Sequence, residues 1–319
     1  MARFVVRRLV LSLVTLWLLA TVVFVITNVL PTNIGRTILG PFAPQETVDA
    51  FNERIGANDP ILEQYGRAMV RLVTLDFGES YQSGAPVVER LGPAMLNSAK
   101  LAALALLLTI PISVLAGVIA GRRRGSLVDR AVVLLGVSLS SVPEFVTGTI
   151  LVVIVGIQLQ LLPVVAMPPR GSTPDALTQL RYLLLPALAM AIVYFGYIAR
   201  MARAGTIEVL DSDFTRTAVM KGLTTAQVMR RHVLRNALVP TVAVIGVQIG
   251  YLFGGIIAVE RIFSYNGMGN LMLLAAQRKD IPVLTAGAIV VGIVYMVATL
   301  LADFVMAWMN PRIRLGAGR

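Results

Sequence analysis

Asp211–Pro240 reads DSDFTRTAVMKGLTTAQVMRRHVLRNALVP, a polar and strongly patterned stretch between two long apolar runs. Asp211-Ser212-Asp213 offers carboxylates or a hydroxyl to cap a helix running from about Phe214 to Lys221. Gly222 follows, where a helix ends in the left-handed conformation that glycine adopts cheaply. Thr224 opens a second helix. With Gln227 it makes a capping box, and Leu223 with Val228 fills the two positions of a hydrophobic staple. Arg230, Arg231, His232 and Arg235 fall in the later turns, where cations suit a helix C-terminus. The stretch specifies two short helices joined at a sharp bend. Such a bend can be a plain turn between spans. It can also be a docking element, with Thr217, Ala218, Val219 and Met220 offered to a partner groove between Arg216 and Lys221.

The rest of the chain says where this hairpin sits. Of 319 residues, 56% are hydrophobic and 14% charged, with a net charge of +11. Soluble domains carry about 25% charged residues, so a soluble enzyme, a disordered chain or a fibrous protein fits poorly. A nucleic-acid-binding protein would not hide its cations among apolar runs. With no cysteine and one histidine, disulfides, Cys-ligated metals and His-cluster metal sites are excluded. A span needs about 20 apolar residues; stretches near 9–30, 97–120, 131–157, 182–203, 238–260 and 284–308 qualify. The first is too long for a signal sequence and no small-residue cleavage site follows Leu30-Pro31, so it reads as an uncleaved anchor. The expectation is an all-α polytopic membrane protein with about six transmembrane helices.

Arginines set the orientation. Arg3, Arg7 and Arg8, then Arg122, Arg123, Arg124 and Arg130, then Arg200, Arg203, Arg216, Lys221, Arg230, Arg231 and Arg235, and finally Arg312, Arg314 and Arg319 alternate consistently with six spans. By the positive-inside rule all four regions, and both termini, are cytoplasmic, in the inner membrane. Stretch 31–96 is then an exoplasmic segment, long enough to be a small subdomain of one or two helices, with helical patterning around 61–75. The domain reading is an N-terminal transmembrane helix (1–30), the exoplasmic segment (31–96), a five-helix core (97–310) containing the cytoplasmic hairpin 204–237, and a cytoplasmic tail (311–319).

Arg216-Thr217-Ala218-Val219-Met220-Lys221-Gly222-Leu223, followed by Arg231-His232-Val233-Leu234-Arg235-Asn236-Ala237-Leu238-Val239-Pro240, resembles the cytoplasmic signature of binding-protein-dependent ABC importer permeases. It is most similar to the dipeptide/oligopeptide/nickel branch. Arg216 stands where the general signature has Glu and Thr217 where it has its first Ala; Ala218 and Gly222 match. Three further runs resemble the same branch: Asp76-Phe77-Gly78-Glu79-Ser80 with Gly84-Ala85-Pro86-Val87, Ser141-Val142-Pro143-Glu144-Phe145, and Glu260 through Gly269, where Asn266 replaces a frequent Pro. The first of these is similar to the first of the two permease types, which implies a heterodimer.

The resemblance implies a type I ABC importer permease fold and half of a translocation pore for peptides. Its implied partners are a second permease subunit, two cytoplasmic ATPase subunits and an external binding protein, within membrane lipid and without nucleic acid. Phe214, Arg216, Thr217, Ala218, Met220, Lys221, Gly222 and Leu223 would then form the coupling helix that docks into an ATPase. No phosphate-binding loop exists, since Lys100, Lys221 and Lys279 each lack a preceding Gly. No cofactor is expected in this chain; ATP and Mg would be bound by the partner ATPases. Nickel, glutathione, haem or oligosaccharides are alternative cargoes in this branch, and an ion-coupled secondary transporter is the reading from another class.

Pro143, Glu144 and Phe145 are candidates for the substrate path. Glu144 would lie near mid-depth of the third span, where an intramembrane carboxylate faces a cavity or bonds a neighbouring helix. Pro143 would kink that helix. Asp303 reads as structural, and Glu260 as an edge residue paired with Arg261 or Arg278. His232 reads as packed within the hairpin. Gly246, Gly250, Gly254 and Gly255 form a small-residue face for close helix packing.

Overall fold

The computed structural model describes residues 2–28, 33–168 and 175–309; the tail 311–319 and Leu30-Pro31 lie outside them. The elements are α1 (Ala2–Asn28), α2 (Ile34–Leu39), α3 (Gln45–Ile55), α4 (Ile61–Thr74), α5 (Val87–Arg122), α6 (Leu127–Ser140), α7 (Glu144–Leu151), α8 (Ala176–Leu210), α9 (Asp213–Met220), α10 (Thr225–Val228), α11 (Leu234–Ala237), α12 (Val239–Ile262), α13 (Met268–Gln277) and α14 (Ile281–Met309). Wider π-helical turns continue α7 through Val152–Gln158 and join α10 to α11 through Met229–Val233. Among the described residues the isolated pairing of Glu79 with Pro86 is the one β bridge.

Among the described residues five helices (α1, α5, α8, α12 and α14) are long and apolar enough to cross a bilayer, and α6 with α7 and its π extension makes a sixth candidate bent by 99°. The kink expected at Pro143 within 131–157 is thus present as a sharp bend. Proline explains the break: it has no N–H to donate and disfavours helical backbone in the residue before it. Pro143 accordingly caps α7 in extended conformation. The helices also overrun the apolar stretches; α5 starts at Val87 and α8 at Ala176. Hydropathy marks the part that hydrocarbon surrounds, whereas backbone hydrogen bonding carries on into polar flanks.

The chain divides into two compact units. One comprises Ala99–Tyr265 with the end segments Met1–Arg8 and Val297–Arg319. At its centre is α8, buried at fifteen positions from Leu183 to Thr206 and packed on α6, α7, α11 and α12. Small residues permit this packing. A Cβ at Gly196 would collide with the carbonyl oxygen of Gly136, one at Gly117 with that of Ala199, and one at Gly205 with that of Ala237. In the same unit Arg8 Nε lies 3.2 Å from Asp303 Oδ2, in keeping with the structural reading of that acid.

The other unit is Leu9–Ser98 with Asn266–Met296. Segment 31–96 supplies three helices, α2, α3 and α4, beyond the one or two expected; α4 is the helix patterned over 61–75. Its core gathers Val87, Leu91, Met268, Ala275, Val283 and Ala286. Asp280 ties down the turn ahead of α5: its carboxylate accepts from Ser80 Oγ at 2.5 Å and from the Tyr81 N–H at 3.1 Å.

Candidate functional site

The hairpin between α8 and α12 folds as its local signals dictate. Ser212 is the N-cap of α9, but its hydroxyl donates back to the Val209 carbonyl (2.6 Å), as does that of buried Thr215 (2.7 Å). These bonds hold α9 against the end of α8. Gly222 has φ +80°, the left-handed turn the sequence requires, and a Cβ there would meet nothing within 4 Å. Thr224 forms the reciprocal capping box: its N–H donates to Gln227 Oε1 (2.9 Å) and its Oγ1 accepts from the Gln227 N–H (3.4 Å).

Ala218, Val228, Met229, Val233 and Ala237 form a core for the hairpin, with Leu223, Leu234, Leu210, Val209 and Val118 against it. Two of the predicted docking residues, Ala218 and Leu223, thus face inward and build the hairpin. The others turn outward: Phe214, Arg216, Thr217, Met220, Lys221 and Gly222 are exposed, as is Val219. Exposure of Met220 reaches 79% and of Val219 57%, so α9 has a buried edge and, around the rest of its surface, exposed apolar side chains with cations beside them. His232 is half-buried in the π turn, and its carbonyl accepts from Asn236 Nδ2 at 2.9 Å. Arg235 crosses to the end of α14, donating to the carbonyls of Trp308 and Met309 (both 3.2 Å) with its guanidinium 5.8 Å from the Trp308 ring.

At the break in span three, Glu144 is the first residue of α7 rather than a mid-helix residue. Its Oε1 accepts from the Tyr194 hydroxyl at 3.1 Å. Gly255 makes room: a Cβ there would stand 2.8 Å from that oxygen. Pro143 and Phe145 are exposed on either side. Of the small-residue face on α12, Gly246 packs on α14, where its Cβ would come within 2.5 Å of Ala302 Cβ, whereas Gly254 faces open space. Glu260, expected at the membrane edge, is fully buried. Burial, helped by the Glu260 charge, pushes the Tyr265 phenol well above its ordinary pKa.

One pair is invisible to local reading. Arg203 of α8 grips Asp129 of α6 through both carboxylate oxygens, Nη2 to Oδ2 at 2.9 Å, and the Gly125 N–H adds a bond at 2.8 Å. In sequence Arg203 counts only toward orientation. The available signal is an acid in the first turn of α6 and a base at the far end of an apolar helix.

Comparison with known proteins decides the class. Residues 113–315 match the model for binding-protein-dependent transport system inner membrane components, and residues 1–113 match the N-terminal model of the same systems. The chain belongs to this family. The metal-staphylopine import system permease protein CntB of Staphylococcus aureus is 32% identical, covering 99% of this chain and 100% of that protein. A probable peptide ABC transporter permease, y4tP of Sinorhizobium fredii, is 31% identical over 98% and 100%. The glutathione transport system permease GsiC of Escherichia coli K12 is 29% identical over 98% and 99%. The helical bundle is accordingly a type I ABC importer permease fold, and this permease is a multi-pass inner-membrane transport component.

Proposed function

We infer that the permease forms half of a pore through which an external binding protein delivers peptides, powered by ATPase subunits that grip α9. The exposed apolar side chains of α9 carry this reading. Phe214, Val219 and Met220 are exposed on a helix whose other edge is fixed to α8 and to the hairpin core. A helix held that way passes a push on its outer face directly into the spans. ATP and Mg belong to the partner, since the sequence holds no phosphate-binding loop. Hairpin and termini then face the cytoplasm, and segment 31–96 the outside, where the binding protein approaches. A second, non-identical permease subunit completes the pore.

The cargo reading rests on the relatives, two of which are named for peptide or glutathione transport. A metal chelate is the second reading, favoured by the relative named for metal-staphylopine import. Met220→Glu tests the docking claim. Burying a charge where an apolar anchor belongs removes about 2 kcal/mol or more, roughly 30-fold in affinity. The variant should insert normally yet lose its ATPase subunits on purification and lose uptake; undiminished uptake overturns the claim. Mass spectrometry of ligands co-purifying with the binding protein separates peptide from chelate.

A further inference from the structure

Helix α4 carries an apolar stripe that its unit leaves largely bare. Leu62, Gly66, Met69, Val70 and Val73 recur at i, i+4, i+7, i+8 and i+11, the spacing of one helix face. Met69 is half-buried, but Leu62 is 80% exposed, Val70 63% and Val73 83%. Glu63 and Arg67 follow around the helix, Arg67 paired with Asp59 at 2.5 Å.

The opposite flank says where the helix is held. The Tyr65 hydroxyl lies 2.9 Å from Thr21 Oγ1, and its ring meets Phe24 edge-on with centroids 5.3 Å apart. Thr21 and Phe24 are inside the apolar window Val6–Thr27 of the first span. At 1.5 Å per residue, Thr21 is about 9 Å in from the end of that window. A helix hydrogen-bonded there is level with the headgroup–acyl boundary, the depth at which amphipathic helices bury an apolar face by about 5–10 Å.

We propose that α4 is an interfacial membrane helix whose Leu62–Val70–Val73 stripe is sunk among phospholipids of the leaflet at the C-terminal end of α1. Continuity with the lipid-facing surface of α1 selects lipid as the occupant: Leu18 and Val22, flanking the Tyr65 anchor level, are 49% and 54% exposed. A water-facing α4 would leave its three most exposed aliphatic side chains hydrated beside a bilayer that could take them.

The natural absence of cysteine makes the test direct. Single cysteines at Leu62, Val70, Val73 and, as controls, Glu63 and Val22 are spin-labelled in the assembled importer, in vesicles of phosphatidylethanolamine and phosphatidylglycerol. Collisions with oxygen, which enriches in lipid, are compared with those of a water-soluble nickel chelate. The stripe positions should match Val22, with a severalfold higher oxygen-to-nickel ratio than Glu63. A ratio at Leu62 and Val73 equal to that of Glu63 places the stripe in water and overturns the proposal. Shielding from both reagents places it under a protein partner and overturns it equally. Because three positions report independently, loss of assembly in one labelled chain leaves the others to decide.

Discussion

Arg203 and Asp129, 74 positions apart in the chain, are joined by two parallel hydrogen bonds that bind the far end of α8 to the first turn of α6. The Asp129 side chain is 5% exposed and that of Arg203 27%, so removing either partner strands a charge. Asp129→Ala should lower stability by about 3–5 kcal/mol, seen as an earlier thermal transition of the detergent-solubilised permease. Asp129→Leu with Arg203→Met, which removes both charges at similar volume, should recover most of the loss. An unchanged transition in the single variant would refute the assignment.

Gly222 separates strain from docking. Its φ of +80° costs a residue with a Cβ about 1–2 kcal/mol, less for Asn or Asp. Gly222→Asn and Gly222→Asp are nearly equal in shape, so any gap in uptake between them reports the added charge at the outer face. Uptake should fall modestly with Asn and be lost with Asp, while both variants reach the membrane. Equal uptake would mean that the turn is structural alone.

Asp280 is 2% exposed and holds the Ser80 hydroxyl and the Tyr81 N–H. Asp280→Ala leaves those donors unpaired, about 1–3 kcal/mol for each buried group. Hydrogen exchange should quicken across residues 76–86 and leave the hairpin between α8 and α12 unchanged; uniform protection would count against the latch.

Tyr81 gives the same turn a signature at alkaline pH. Burial raises its phenol pKa above 10.0, against the pull of nearby Arg71, and Asp280 adds to the rise. The folded form thus favours the neutral phenol. That contribution is complete below the ordinary tyrosine range and lost as pH climbs through the raised value. The thermal transition should therefore fall more steeply above pH 10.0 in the native protein than in Tyr81→Phe; parallel falls would count against the assignment.

Glu144→Gln keeps an oxygen for the Tyr194 hydroxyl and should leave stability within about 1 kcal/mol. Gly255→Ala, by contrast, drives a methyl toward that carboxylate and should destabilise the break. If Glu144 lines the substrate path, its Gln variant will slow uptake of cationic peptides more than of neutral ones. Identical profiles would leave it a purely structural acceptor.

The hairpin was legible because its determinants are local. The Thr224–Gln227 box and the Gly222 turn each lie within four residues, and both are present. The inward edge of α9 was not legible: Ala218 reads in sequence as part of the docking face, and only packing shows that it shares the covered edge with Thr215. Pro143 announced a bend in the third span, but hydropathy, high on both sides of it, gave no sign that the bend reaches 99° and leaves Glu144 at a helix start. Helices α2 and α3 escaped because short polar helices leave little periodic signal, and the Arg203–Asp129 pair because nothing local tells one arginine's partner from another's.

The glycine contacts along α8 have a mechanical consequence. Gly117, Gly136 and Gly205 bring α5, α6 and the hairpin into close contact with α8, where an added Cβ would first meet main-chain atoms. Interfaces of that kind have no backlash. A displacement of the hairpin therefore passes to α8 through main chain rather than through adaptable side chains, and a methyl added at one of these seams should shift the helices it joins.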